Sequence, residues 1–254
     1  MKRRLLIIVL LCCSAATAAL AAVTNDEALS LFVKANFAYK DGDYAQAAQI
    51  YEQVLQDGKE SGKLYYNLAN SYFKQGQLGK AVLNFERALR LMPRDHDLKA
   101  NARYTRSLLS SAEGSAGSWA EHAIRGFLRY FTVDEFTLAM LFLVILAVGL
   151  HAAALYGQWP RQRIRAALGC WAAVFLVCFC AVAAQVSRDR DLAIVLTETA
   201  AKFEPREDAT EYFDLREGSE IKIVDHDGLW RKVIRSDGKA GWVPQEHVER
   251  VRAL

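Results

Sequence analysis

The sequence predicts a multidomain membrane protein built from an all-α helical-repeat domain, a two-helix transmembrane hairpin and a small all-β barrel. Three observations carry this. Chemically matched residues recur at a 34-residue offset between positions 26 and 110. Two apolar segments, 136–156 and 166–186, contain no Lys, Arg, Asp or Glu. Beyond residue 190 the pattern changes to short strand-like runs separated by glycine-containing turns.

The 254 residues carry a formal charge of +3, with 52% hydrophobic and 24% charged residues. That mixture fits apolar blocks alternating with ordinary soluble stretches, and it leaves room for two small domains. The near-neutral balance and the lack of a long basic run give no basis for nucleic-acid binding. All five cysteines (Cys12, Cys13, Cys170, Cys178 and Cys180) lie inside apolar blocks. Neither a disulfide framework nor a zinc spacing is present in the sequence.

At the N-terminus Lys2-Arg3-Arg4 precedes an apolar run, then Ala16-Thr17-Ala18 and Ala19-Leu20-Ala21. Residues 1–22 thus have the form of a secretory signal peptide. The segments 136–156 and 166–186 are each long enough to cross a bilayer. The connection 157–165 holds Arg161, Arg163 and Arg165 and no acid, so the positive-inside rule makes it cytoplasmic. Signal peptide and arginine loop then agree. They predict a multi-pass protein of a bacterial plasma (inner) membrane, its soluble parts periplasmic or extracytoplasmic. Residues 118–131 read as an amphipathic helix, either lying on the outer leaflet or packed on the repeat domain. Thr132-Val133-Asp134-Glu135 reads as a capping box opening the first span.

Within 26–110, Gly42 pairs at the 34-residue offset with Gly76, Ala35 with Ala69, Ala47 with Ala81, Tyr51 with Phe85 and Val54 with Ala88. This pattern resembles the tetratricopeptide repeat, a helix–turn–helix unit. Two repeats and a capping helix over about 96–110 are expected, with 111–117 as linker. The resemblance implies a concave groove lined by the first helix of each repeat. It places Phe32, Asn36, Tyr39 and Lys40 there, with Tyr66, Asn70, Phe73 and Lys74 as their counterparts and Arg103 as a further cation. An Asn amide both donates and accepts, which suits it to gripping an extended peptide. The alternative is that the aromatics are core and the lysines solvated.

In residues 190–252 strand-like runs occupy 192–196, 220–224, 230–234 and 241–243, a spacing that predicts a small barrel. The motifs Leu215-Arg216-Glu217-Gly218-Ser219-Glu220-Ile221-Lys222-Ile223, Gly228-Leu229-Trp230-Arg231-Lys232-Val233 and Asp237-Gly238-Lys239-Ala240-Gly241-Trp242-Val243 resemble bacterial SH3 domains. The resemblance implies a ligand face of Tyr212, Phe213, Trp230, Trp242, Pro244 and His247. Its ligand would be a peptide or, as in some bacterial relatives, peptidoglycan. Trp242 is more often a core residue in this fold.

No nucleophile–base pair, phosphate loop or metal-ligand spacing appears in the sequence, so a non-enzymatic protein without cofactor is expected. The order of modules resembles the BatE-like proteins of the Bat aerotolerance family. That resemblance implies a scaffold or adaptor binding membrane proteins with von Willebrand A domains, linked to oxidative-stress tolerance. The competing expectations are a cell-wall (peptidoglycan) anchor and a redox protein using the three later cysteines.

Overall fold

The structure is a computed structural model in which residues 26–109, 126, 130–156 and 160–252 are described. The predicted signal segment, the linker 111–117 and nearly all of 118–131 lie outside them.

Five helices come first: α1 over residues 26–40, α2 Tyr44–Gln56, α3 Gly62–Lys74, α4 Leu78–Leu91 and α5 His96–Leu109. Glycines sit where the sequence reading put the turns. Gly42 and Gly76, with φ of +84° and +77°, occupy the left-handed region that side chains disfavour. Side-chain caps start the helices: Asp43 accepts from the Gln46 amide at 3.0 Å and Ser61 from the Leu64 amide at 3.1 Å. The small residues Ala35, Ala47, Ala69, Ala81 and Ala88 are all fully buried, which lets the helices approach closely. Tyr51 and Phe85 fill the space between repeats.

The repeats are also stitched by amides. Asn67 Nδ2 donates to Asn36 Oδ1 at 2.9 Å, and one repeat later Asn101 Nδ2 donates to Asn70 Oδ1 at 3.3 Å. Tyr51 Oη donates to the same Asn36 oxygen at 2.6 Å. Ser71 and Thr105 each donate back to the carbonyl four residues earlier, both at 2.9 Å. Leu64, Asn67 and Ser71 recur as Leu98, Asn101 and Thr105 at the 34-residue offset. So α5 is more than a cap: it is the first helix of a third repeat. Replacing Asn36 with Ala removes the acceptor of two donors, and a loss of about 1–3 kcal/mol is expected in thermal unfolding.

Burial pushes the Tyr51 phenol up from 10.0 to about 12. Its contribution to stability is complete below pH about 10 and falls as pH rises through about 12. A 295 nm titration should therefore show Tyr51 ionising late, together with loss of helical signal. Ionisation near pH 10 without unfolding would contradict this.

The C-terminal unit is a seven-stranded antiparallel sheet: β1 Leu192–Val195, β2 Thr199–Lys202, β3 Glu211–Leu215, β4 Glu220–Asp227, β5 Trp230–Ile234, β6 Ala240–Pro244 and β7 Val248–Arg250. The strand order is β3-β2-β6-β5-β4-β1-β7. Every strand sends residues into one core, among them Val195, Ala201, Phe213, Leu215, Ile221, Val233, Val243 and Val248. The sheet therefore curls around that core. The sequence reading missed β2, β3 and β7.

The two units are fused through β1, which is buried on both faces. Ala193 and Val195 point into the sheet core. Leu192 and Ile194 point the other way and pack with Val82, Leu83 and Val251. This explains why 192–195 is continuously apolar rather than alternating. α4 is correspondingly buried almost all round, with helices on one side and the sheet on the other. Gly79 lies so close to the sheet that a Cβ there would sit 2.4 Å from the Leu196 carbonyl oxygen. Its amide donates to Glu217 Oε1 at 2.6 Å. Arg87 donates to the Val251 and Arg250 carbonyls at 3.0 and 2.9 Å and to Glu249 at 2.6 Å. Arg106 joins Glu86 of α4 and Glu220 of β4 at 2.7 and 2.6 Å.

Between these units run α6 Val133–Tyr156 and α7 Arg161–Asp191. The capping box is present: the Thr132 amide donates to Glu135 Oε2 at 2.9 Å, and the Glu135 amide donates to Thr132 Oγ1 at 3.2 Å. Arg94, just after the second repeat, donates to both Glu135 oxygens at 2.9 and 2.8 Å and lies over the Tyr130 ring. These contacts, first among them the Thr132 amide, hold the Glu135 carboxyl below its usual range. α6 and α7 pack together, and Trp171 Nε1 donates to the Leu143 carbonyl at 2.8 Å. Among the described residues one segment, Ala166–Ala183 of α7, is long and apolar enough to cross a membrane. α7 begins at Arg161, so the predicted loop 157–165 is shorter than expected and 161–165 is helical. At its other end α7 passes into β1 with no intervening residue.

Candidate partner-binding surfaces

The repeat array carries a recess of about 260 Å³ lined by Tyr39, Asn70, Phe73, Lys74, Phe85, Asn101, Tyr104 and Thr105. It lies between α3 and α5, with Tyr39 of α1 and Phe85 of α4 at its edges. Four of the nine expected groove residues meet there: Tyr39, Asn70, Phe73 and Lys74. Its floor is polar, since Asn101 donates to Tyr66 Oη at 2.8 Å as well as to Asn70. Its rim is aromatic and basic, with Phe73 against Tyr104 at 5.9 Å between ring centroids and Lys74 exposed.

The other expected groove residues have different places. Phe32 packs on Tyr51 at 5.8 Å, and Tyr66 on Phe85 at 6.1 Å, so both serve the core between repeats. The Asn36 oxygen is occupied by Tyr51 and Asn67. Arg103 is exposed and donates from Nε to the Lys99 carbonyl at 3.4 Å. Lys40 is turned toward Phe37, its Nζ 5.9 Å from that ring, on the outer side of α1 rather than in the recess. Asn101, Tyr104 and Thr105 were missed, although carrying the 34-residue offset one step further from Asn36 and Asn70 marks Tyr104 at once.

On the sheet, Trp242 is the Cα partner of both Lys202 and Lys232, and Trp230 that of Pro244. Val233 and Val243 alternate inward, so these residues form the outer face. Lys202 Nζ lies 5.6 Å from the Trp230 ring and Lys232 Nζ 5.8 Å from the Trp242 ring. Tyr212 is exposed and packs, tilted, on exposed Phe203 with ring centroids 4.3 Å apart. Phe213 corrects the expectation: the period-2 alternation of β3 turns it and Leu215 into the core. His247 sits in the 3-10 turn Gln245–His247, with Nε2 3.5 Å from Glu246. Cys170, Cys178 and Cys180 are free thiols on α7.

An array of paired helices with an aromatic, amide-lined recess between first helices defines a helical-repeat interaction module. Residues 38–102 match the family model described as tetratricopeptide repeat. This is a fit to part of the chain, covering the second half of repeat one through the first half of α5. No curated protein matches the chain. The chain thus combines a helical region that fits tetratricopeptide repeats, a repeat type that suggests protein–protein interaction, with a C-terminal antiparallel sheet.

Proposed function

We propose that the protein is a non-catalytic, membrane-anchored scaffold whose repeat recess holds a segment of a protein partner. The observation that carries this reading is the recess itself. It offers amide donors, a tilted aromatic pair and a cationic rim in one concavity of a helical-repeat array, chemistry suited to an extended peptide carrying a carboxylate. α6 leaves the repeat array and α7 returns to the sheet, and array and sheet touch. This supports a hairpin that crosses a membrane and comes back, keeping both soluble units on one side of it. With the signal-like N-terminus and the arginines at 161–165, that side is the periplasm. The SH3-like motifs and module order extend the reading to a BatE-like role in the Bat aerotolerance family, with von Willebrand A-domain membrane proteins as partners and a function in oxidative-stress tolerance.

Tyr104→Ala with Lys74→Glu is the suitable probe, because both side chains are exposed and neither donates a hydrogen bond to the array. Asn36→Ala would confound binding with stability. Pull-down from solubilised membranes should lose at least one co-purifying protein about tenfold. Unchanged recovery of every partner would sink the groove reading.

The outer face of the sheet supports a second reading. Trp230 and Trp242, each with a lysine over its ring, suit stacking on sugars and pairing with carboxylates, as a peptidoglycan anchor requires. Trp230→Ala in the full chain should then lower co-sedimentation with purified sacculi, while the recess variant should not.

A further inference from the structure

The outer side of α1 carries an apolar stripe. Leu29, Val33 and Phe37 are 61%, 43% and 60% exposed and lie four residues apart on one helix face. Repeat symmetry shows what this face is for. Val33 and Phe37 correspond to Asn67 and Ser71 in α3 and to Asn101 and Thr105 in α5. In those helices the face packs on the preceding repeat: Asn67 reaches Asn36, Asn101 reaches Asn70, and Ser71 and Thr105 are fully buried. α1 presents the same docking face, but with apolar residues and with nothing on it among the described residues. A terminal repeat normally turns a polar side outward. The far end of the array is treated differently, since the sheet covers α4 there.

The residues flanking the stripe identify its occupant. At 100° per residue, Asp26 and Lys40 fall on the same face as Leu29, Val33 and Phe37. The pattern is symmetric about Val33 in position and antisymmetric in charge. Leu29 and Phe37 lie four residues to either side, and Asp26 and Lys40 lie seven to either side, about 10 Å along the axis. Both charged residues are exposed. A helix with this pattern is complementary to itself when turned end for end.

We propose that the protein pairs with a second copy of itself through an antiparallel α1–α1 contact, with the two-fold axis at Val33. Leu29 meets Phe37 of the second copy, and Asp26 meets Lys40 of the second copy. The contact is isologous, so it closes at a dimer and does not propagate. Three apolar residues per copy make a seam well below standard interface size, so the association is reversible. The proposal does not depend on what the recess or the sheet binds.

Covalent trapping is the suitable test. In the full chain with its five cysteines replaced by serine, Val33→Cys should form a disulfide-linked species of twice the chain mass under mild oxidation. Leu29→Cys and Phe37→Cys should each fail alone and cross-link when mixed, which fixes the antiparallel register. Asp26→Lys and Lys40→Glu should each lower the Val33→Cys dimer several-fold, and the double reversal should restore it. A folded Val33→Cys chain that stays monomeric would overturn the proposal, fold being verified by its helical circular dichroism. So would cross-linking only to a different protein, self-linking of Leu29→Cys, or failure of the double reversal to restore the dimer.

Discussion

Gly79→Ala should separate the sheet from the repeat array and cost at least about 2 kcal/mol, the range of overpacking at a tight contact. The expected sign is the reverse of the usual one. Alanine in place of glycine within a helix ordinarily adds up to about 1 kcal/mol, by restricting the unfolded chain and favouring helix. At Gly79 the new methyl would sit 2.4 Å from the Leu196 carbonyl oxygen and 2.8 Å from its carbon, and backbone has little room to yield. The shift would also strain the Glu217 hydrogen bond to the Gly79 amide and loosen Leu192, Ile194 and Val251 from Val82 and Leu83. Gly62→Ala is the matched control. Its Cβ would also fall 2.4 Å from a neighbour, but that neighbour is the Met92 side chain, which can swing away. Thermal unfolding of the two variants should move in clearly different directions or by clearly different amounts. A Gly79→Ala protein as stable as the parent would show that the contact between the units is slack.

Arg106→Met should destabilise the same junction by electrostatics rather than sterics. Arg106 spans Glu86 on α4 and Glu220 on β4, and Glu86 is only 4% exposed. The two carboxylates keep the guanidinium charged: burial disfavours the charged form, and Glu86 and Glu220 outweigh it. Removing one member of a fully buried pair costs about 3–5 kcal/mol, and the partial exposure of Arg106 brings the expectation to about 2 kcal/mol. The loss reflects a carboxylate left in a poorly solvated site. Combining Arg106→Met with Glu86→Gln and Glu220→Gln should therefore recover much of it. If the single and triple variants were equally unstable, side-chain packing of Arg106 rather than its charge would be the cause.

The repeat array was legible because its signal is local and periodic. Small residues and aromatics at a fixed offset dictate how neighbouring helices meet, and Gly42 and Gly76 punctuate them. The recess was half legible. Amides such as Asn36 and Asn70 stand out by type, but sequence does not say whether an amide faces a ligand or the next helix, and both oxygens here are used inside the array. Lys40 illustrates the same limit, since its helix position is compatible with either rim. On the sheet, β2 was hidden because Thr199-Ala200-Ala201-Lys202 lacks the bulky alternation that marks a strand. Phe213 and Tyr212 are adjacent aromatics, and only the register of β3 decides which turns inward. The junction between the units was the least legible part. It depends on what Gly79 lacks, on charges more than 100 residues apart, and on a run at 192–195 whose unbroken apolarity signals a strand covered on both faces.

α7 ends at Asp191 and β1 begins at Leu192, so helix and sheet are one mechanical piece. A lever works only if its arm cannot flex where it meets the load, and here there is no slack between them. β1 is also the strand clamped between the sheet core and α4. Any roll or tilt of α7 must then turn the strand, and with it Leu192 and Ile194, against Val82 and Leu83. A movement of the long helix would therefore act first on the strand that also touches the repeat array.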